Sequence, residues 1–130
     1  MRKLITIAAV GLVSLGLLAP SAAMAKEGDV IRTGVCDAGS TWKLKLSPND
    51  PAMIEVEFQV DENIAGHTWR VRLVQDGELV FKGARVTKAP SGSFTLRRLL
   101  PDTLGRDIIR ARAVNALTGE VCIARAVLNG

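Results

Sequence analysis

Tyrosine is absent from this chain of 130 residues, histidine occurs once (His67), and cysteine occurs twice (Cys36 and Cys122). Aromatic residues in all are few, three phenylalanines and two tryptophans. One histidine with one cysteine pair is a thin set of nitrogen and sulfur ligands for a zinc site. Carboxylates are more numerous, but Asp37 and Asp61-Glu62-Asn63 lack the spacing of a calcium loop, and no phosphate-cradling glycine loop is present. No metal and no cofactor is expected. His67 would also be the sole imidazole available as a general base. Past the first 25 residues no apolar run approaches the ~20 that cross a bilayer, and there is no linker, repeat or low-complexity tract.

What is there begins at the N-terminus. Arg2 and Lys3 give a short cationic start, Leu4 to Ala19 carries no charge, Pro20 interrupts, and Ala23-Met24-Ala25 places small residues where a signal peptidase reads. That order of parts predicts a secretory signal peptide cleaved between Ala25 and Lys26. Its apolar run of roughly 16 residues is short for a membrane span. Residues 1–25 are read as signal, 26–40 as a lead-in carrying Cys36, and 41–130 as a β-sandwich domain, so that 26–130 is one mature, secreted unit. The signal holds two of the 17 basic residues and none of the 13 acidic ones, leaving 15 against 13 and a net charge of +2. An even cysteine count outside the cytosol predicts one disulfide, Cys36–Cys122. It would close a loop of about 86 residues, worth roughly 4–5 kcal/mol in the chain-entropy model.

Period-two alternation runs from Thr41 to Leu128, with no window at helical spacing. Trp42, Leu44 and Leu46 alternate with lysines; Ile54, Val56, Phe58 and Val60 with Glu55, Glu57 and Gln59; Trp69, Val71 and Leu73 with Arg70 and Arg72. Leu79 and Phe81 follow, with Val80 and Lys82 on the other face, then Phe94 and Leu96, then Ile109, Ala111 and Ala113 against Arg110 and Arg112. Cys122, Ala124, Ala126 and Leu128 close the series. Seven strands with one apolar face each, or eight if the lead-in adds one, predict an all-β antiparallel sandwich. Gln75-Asp76-Gly77 predicts a three-residue hairpin loop pairing Leu73 with Leu79 and Val71 with Phe81. Ala116 to Gly119 predicts a four-residue loop pairing Ala113 with Cys122 and Ala111 with Ala124.

Thr68-Trp69-Arg70-Val71-Arg72-Leu73 and Ile109-Arg110-Ala111-Arg112-Ala113-Val114-Asn115 resemble strands C and F of immunoglobulin and fibronectin type III domains. The resemblance covers residues 41–128 as an architecture and implies a two-sheet sandwich. Without tyrosine there is no tyrosine corner, and Cys36–Cys122 is not the B–F bridge of antibody domains. The early cysteine, Trp42-Lys43-Leu44-Lys45, Ala89-Pro90-Ser91-Gly92-Ser93-Phe94 and the late cysteine are similar to a group of small exported actinobacterial proteins. That likeness implies fold and export, and no activity.

No catalytic residue is assigned. Ser91 and Ser93 lie outside any nucleophile elbow, and His67 reads as a polar turn residue whose replacement by alanine should change stability by less than roughly 0.5 kcal/mol. Glu55 and Glu57 read as partners of Lys43 and Lys45 on the next strand, and both tryptophans as core. One sharper pattern remains. If strands from 41–46, 54–60 and 94–97 form one sheet and the rest the other, the second sheet's outer face carries Arg70, Arg72, Lys82, Arg110, Arg112 and Arg125, with no acid at a strand position and with Val80 and Ile123 beside them. The sequence therefore predicts a secreted, non-enzymatic binding module. Its expected partner is an anionic cell-envelope polymer or another protein, not nucleic acid. The alternatives are a soluble carrier or a protease-inhibitor-like protein presenting Pro101 to Arg106, and more remotely a hydrolase.

Overall fold

The alternation is realised as eight strands: β1 (Val30–Val35), β2 (Thr41–Asn49), β3 (Met53–Asp61), β4 (Thr68–Gln75), β5 (Glu78–Val86), β6 (Ser93–Pro101), β7 (Arg106–Asn115) and β8 (Val121–Asn129). The structure is a computed structural model that describes residues 25–129. The expected signal peptide lies, up to Met24, outside the described residues. The strands form two antiparallel four-stranded sheets, ordered β1-β2-β3-β6 and β5-β4-β7-β8. The all-β sandwich expected from the periodicity is therefore present. The strands divide between its sheets as expected, and the lead-in supplies β1 as an extra edge.

The core is the set of inward positions. Leu44, Leu46, Ile54, Val56, Phe58, Val60, Trp69, Leu73, Leu96 and Ile109 are fully buried. Each large apolar side chain so buried contributes about 1.5–3 kcal/mol. Phe94 meets Phe58 edge-on at 6.2 Å between ring centroids and Trp69 at the same distance. Trp42 departs from full burial: it is half-buried and lies across Gly34 of β1, where a Cβ would stand 2.5 Å from the indole. Pro48 lies inside β2, past Leu46, the last residue paired with β1. On that side there is no partner for the N–H it lacks.

Disulfide Cys36–Cys122 is formed and no described cysteine is free. It ties the residue after β1 to β8. Around it Glu120 accepts from the Ala38 and Ser40 N–H groups and from the Ser40 hydroxyl, and Asp37 exchanges backbone and side-chain bonds with Val121.

The β7–β8 register is as expected, Ala113 opposite Cys122 and Ala111 opposite Ala124. The β4–β5 register is not. Gln75 pairs with Glu78 across the two residues Asp76 and Gly77, whose φ values of 50° and 88° suit a tight hairpin turn. That turn alone would put Leu73 out of phase with Phe81. A bulge corrects it: Val74 pairs with Leu79, Leu73 with Phe81, and Val80 is the extra residue. Val71 consequently faces Gly83 instead of Phe81. The bulge also exchanges two side chains, since Val80 packs against the core and Leu79 is 55% exposed.

Candidate functional site

The outer face of the sheet β5-β4-β7-β8 collects the six predicted cations. Arg70, Arg72, Lys82, Arg110, Arg112 and Arg125 are all exposed. Arg72 stands between Lys82 on β5 and Arg112 on β7, and Arg110 stands opposite Arg125 on β8. Neighbouring strands lie ~4.8 Å apart, and like charges set directly opposite are unfavourable. Among the described residues the ion pairs are Lys45–Asp29, His67–Glu62 and Arg97–Glu57, so none of the six has a carboxylate within 4.0 Å. Ile123, 67% exposed, ends the Lys82-Arg72-Arg112 row, and Leu79 holds the apolar place expected of Val80.

The outer face of the other sheet is neutralised. Lys45, Glu57 and Arg97 are successive partners across β2, β3 and β6. Arg97 lies 3.5 Å from Glu57, and Lys45 lies 3.6 Å from Asp29. The Ser47 hydroxyl also donates to Asp29. Burial raises the Asp29 carboxyl, but the Ser47 hydroxyl, the Lys26 N–H and the two lysine charges outweigh it and hold it below the usual carboxylate range.

His67 is not a free turn residue. Its Nδ1 lies 3.0 Å from Glu62 Oε2, and Asn115 Nδ2 donates to the same oxygen at 3.1 Å. Trp69 Nε1 donates to Glu62 Oε1 at 3.0 Å. The Glu62 side chain is 4% exposed and that of His67 19%. Thr87 holds the His67 backbone from both sides, accepting its N–H at the hydroxyl and donating an N–H to its carbonyl. Gly92 presses on the same loop, where a Cβ would fall 2.3 Å from the Ile64 nitrogen. His67 thus belongs to a carboxylate–imidazole–amide cluster: its Nδ1 bonds to Glu62, and the Asn115 amide, itself bonded to Glu62, lies 3.3 Å from that nitrogen. Ser91 and Ser93 bond to each other at 2.7 Å.

A second polar cluster closes the opposite end. Asp107 Oδ1 accepts from the Gln75 amide, the Thr103 hydroxyl and the Thr103 N–H, while Asp107 Oδ2 is buried with no hydrogen-bond partner. Burial raises the Asp107 carboxyl, yet the Thr103 hydroxyl, the Gln75 amide and Asp102 together hold it low. Asp102 is raised, chiefly by the neighbouring Asp107 carboxyl. Among the described residues no group of three His, Cys, Asp or Glu is disposed to hold a metal ion.

No protein-family model matches the chain, and no curated protein matches it. Among solved structures it is similar to the crystal structure of chicken MD-1 complexed with lipid IVa, with 13% sequence identity and a TM-score of 0.37 over 81% of this chain and 93% of that one. At that level of likeness nothing about the site passes to this chain.

Proposed function

We propose that the protein is a secreted, non-enzymatic binding module whose arginine-rich sheet face engages an anionic cell-envelope polymer or a protein partner. The reading is carried by one observation: six exposed cations on four adjacent strands, three of them side by side in a single row, with no carboxylate partner for any among the described residues. Guanidinium groups pair with phosphate and carboxylate through a planar fork of donors, and exposed Ile123 and Leu79 add apolar contact that favours a macromolecular surface over free nucleic acid. A carrier would need room between the sheets, where Phe58, Trp69, Phe94 and the aliphatic core stand instead. Export is supported by the disulfide and by the N-terminal pattern of residues 1–25.

Binding should weaken with salt, because exposed charges act over a Debye length of ~8 Å at physiological ionic strength. The test compares the parent with an Arg70→Glu, Arg110→Glu double variant for retention on anionic polymers and envelope fractions at low salt. The variant should elute clearly earlier. Equal retention by two folded proteins would make this sheet an ordinary solvated face.

A further inference from the structure

Two arginines on the β5–β6 side sit where the strand pattern reserves places for core residues, as Arg32 of β1, partner of buried Leu44, does on the opposite edge. Arg85 of β5 is the partner of wholly buried Trp69, and Arg98 of β6 is the partner of wholly buried Val56, so both occupy inward positions. β5 and β6 are edge strands of different sheets, and their free edges meet along one side of the sandwich. Phe81 occupies the middle of that seam. Gly83 leaves it room, since a Cβ there would stand 2.7 Å from the ring. The Arg85 Cζ lies 5.2 Å from the Phe81 centroid and the Arg98 Cζ 4.7 Å. Stacking fixes the guanidinium planes and leaves their donor edges free. Arg85 uses one donor, Nη1, on the Ala84 carbonyl, and neither arginine has a carboxylate within 4.0 Å among the described residues.

Beyond Phe81 the seam opens into a groove of about 470 Å³ lined by Arg85, Lys88, Ser93, Thr95, Val86 and Phe94, among others. That volume is within the range of small-ligand sites. Its lining joins two cations, two hydroxyls and an apolar wall, with no acid. The groove at the other end of the seam, which holds Arg98, also contains Glu55 and is less suited to an anion. Inward charges on edge strands serve by themselves to discourage edge-to-edge pairing. That role does not require Lys88 and the hydroxyls to converge on the same groove.

We infer that the groove between β5 and β6 binds a phosphate monoester with an apolar body. Two cations match the dianion, the Ser93 and Thr95 hydroxyls donate to its oxygens, and Val86 and Phe94 receive the apolar part. The groove borders the outer sheet face at Ala84, the partner of Arg70, but its cations are Arg85 and Lys88 and none of the six on that face, so different variants test the two readings.

The disulfide-intact protein is titrated with phenyl phosphate and with inorganic phosphate, following amide shifts by NMR. Saturable phenyl phosphate binding is expected, with shifts concentrated on Ala84 to Lys88 and Ser93 to Thr95. Inorganic phosphate should bind about tenfold more weakly. Arg85→Ala and the exposed Lys88→Ala should each lose about tenfold or more, while Arg32→Glu, on edge strand β1 at the opposite side of the sandwich, stays within about twofold of the parent. Absence of saturable binding, equal affinity for the two phosphates, unchanged binding in Lys88→Ala, or an equal loss in Arg32→Glu would each overturn the assignment.

Discussion

Glu62 is a carboxylate almost withdrawn from water, and its oxygens are satisfied by three groups: the Trp69 indole, the Asn115 amide and the His67 imidazole. Removing one of them exposes the remainder to a desolvation penalty, so His67→Ala should cost about 1–3 kcal/mol. The check is the urea midpoint at unchanged m value. A loss below roughly 0.5 kcal/mol would return His67 to the solvated turn residues. In sequence His67 reads as such a residue because its farther partner, Asn115, is 48 positions away and no local pattern joins them. A signal is nonetheless present. Ile109, Ala111 and Ala113 point inward, and the next inward place is Asn115, itself buried. A polar residue at a core position needs a partner, and Glu62 is the one it finds. Arg98 breaks the run Phe94, Leu96, Leu100 in the same way, and Arg85 follows Phe81 and Gly83 likewise.

Strand identities, the sheet partition and the last hairpin are legible in the sequence because each rests on a strict alternation. The β4–β5 hairpin is not, because its turn and its bulge each shift the register by one, and only their combination keeps Leu73 against Phe81. The partnership of β6–β7 with the end of β4 is hidden for another reason. It depends on Asp107, which reaches the Gln75 and Thr103 donors only in the folded chain. These bonds give the molecule an acid-sensitive end. Asp107 is held low, so its contribution is complete above its unfolded pKa of about 3.9 and is lost as pH falls through its depressed folded value; Asp29 behaves alike. Asp102 is raised and has the opposite sign, favouring the fold below about 3.9 and losing that contribution as pH rises through its raised value. Asp107→Asn should therefore destabilise by about 1–3 kcal/mol at pH 7, with the deficit closing as pH falls through the depressed folded value, whereas Asp102→Asn should not destabilise at pH 7. Urea melts from pH 7 downward decide it, and a pH-independent deficit in Asp107→Asn would count against a depressed Asp107 carboxyl.

At the scale of the whole molecule, the sandwich has two unlike sides. Where β1 faces β8, a covalent bridge spanning 86 positions is surrounded by the Glu120–Ser40 bonds. Where β5 faces β6, two guanidinium groups resting on one ring replace such a bridge. The sandwich is in effect a book, bound by the disulfide along one long edge and held at the other only at one end, by residues 87–92 and their Lys88–Ser93 bridge. Its breathing should be a leafing motion, with the fore-edge parting while the spine stays shut. Hydrogen exchange would register this as faster, partial-opening exchange for β5 and β6 amides than for β8. Reduction of Cys36–Cys122, at a cost of roughly 4–5 kcal/mol in the chain-entropy model, should erase the difference. Exchange that is already uniform in the oxidised protein would mean that the pages turn together. If they do not, the free edge gives a ligand a way in that leaves the binding intact.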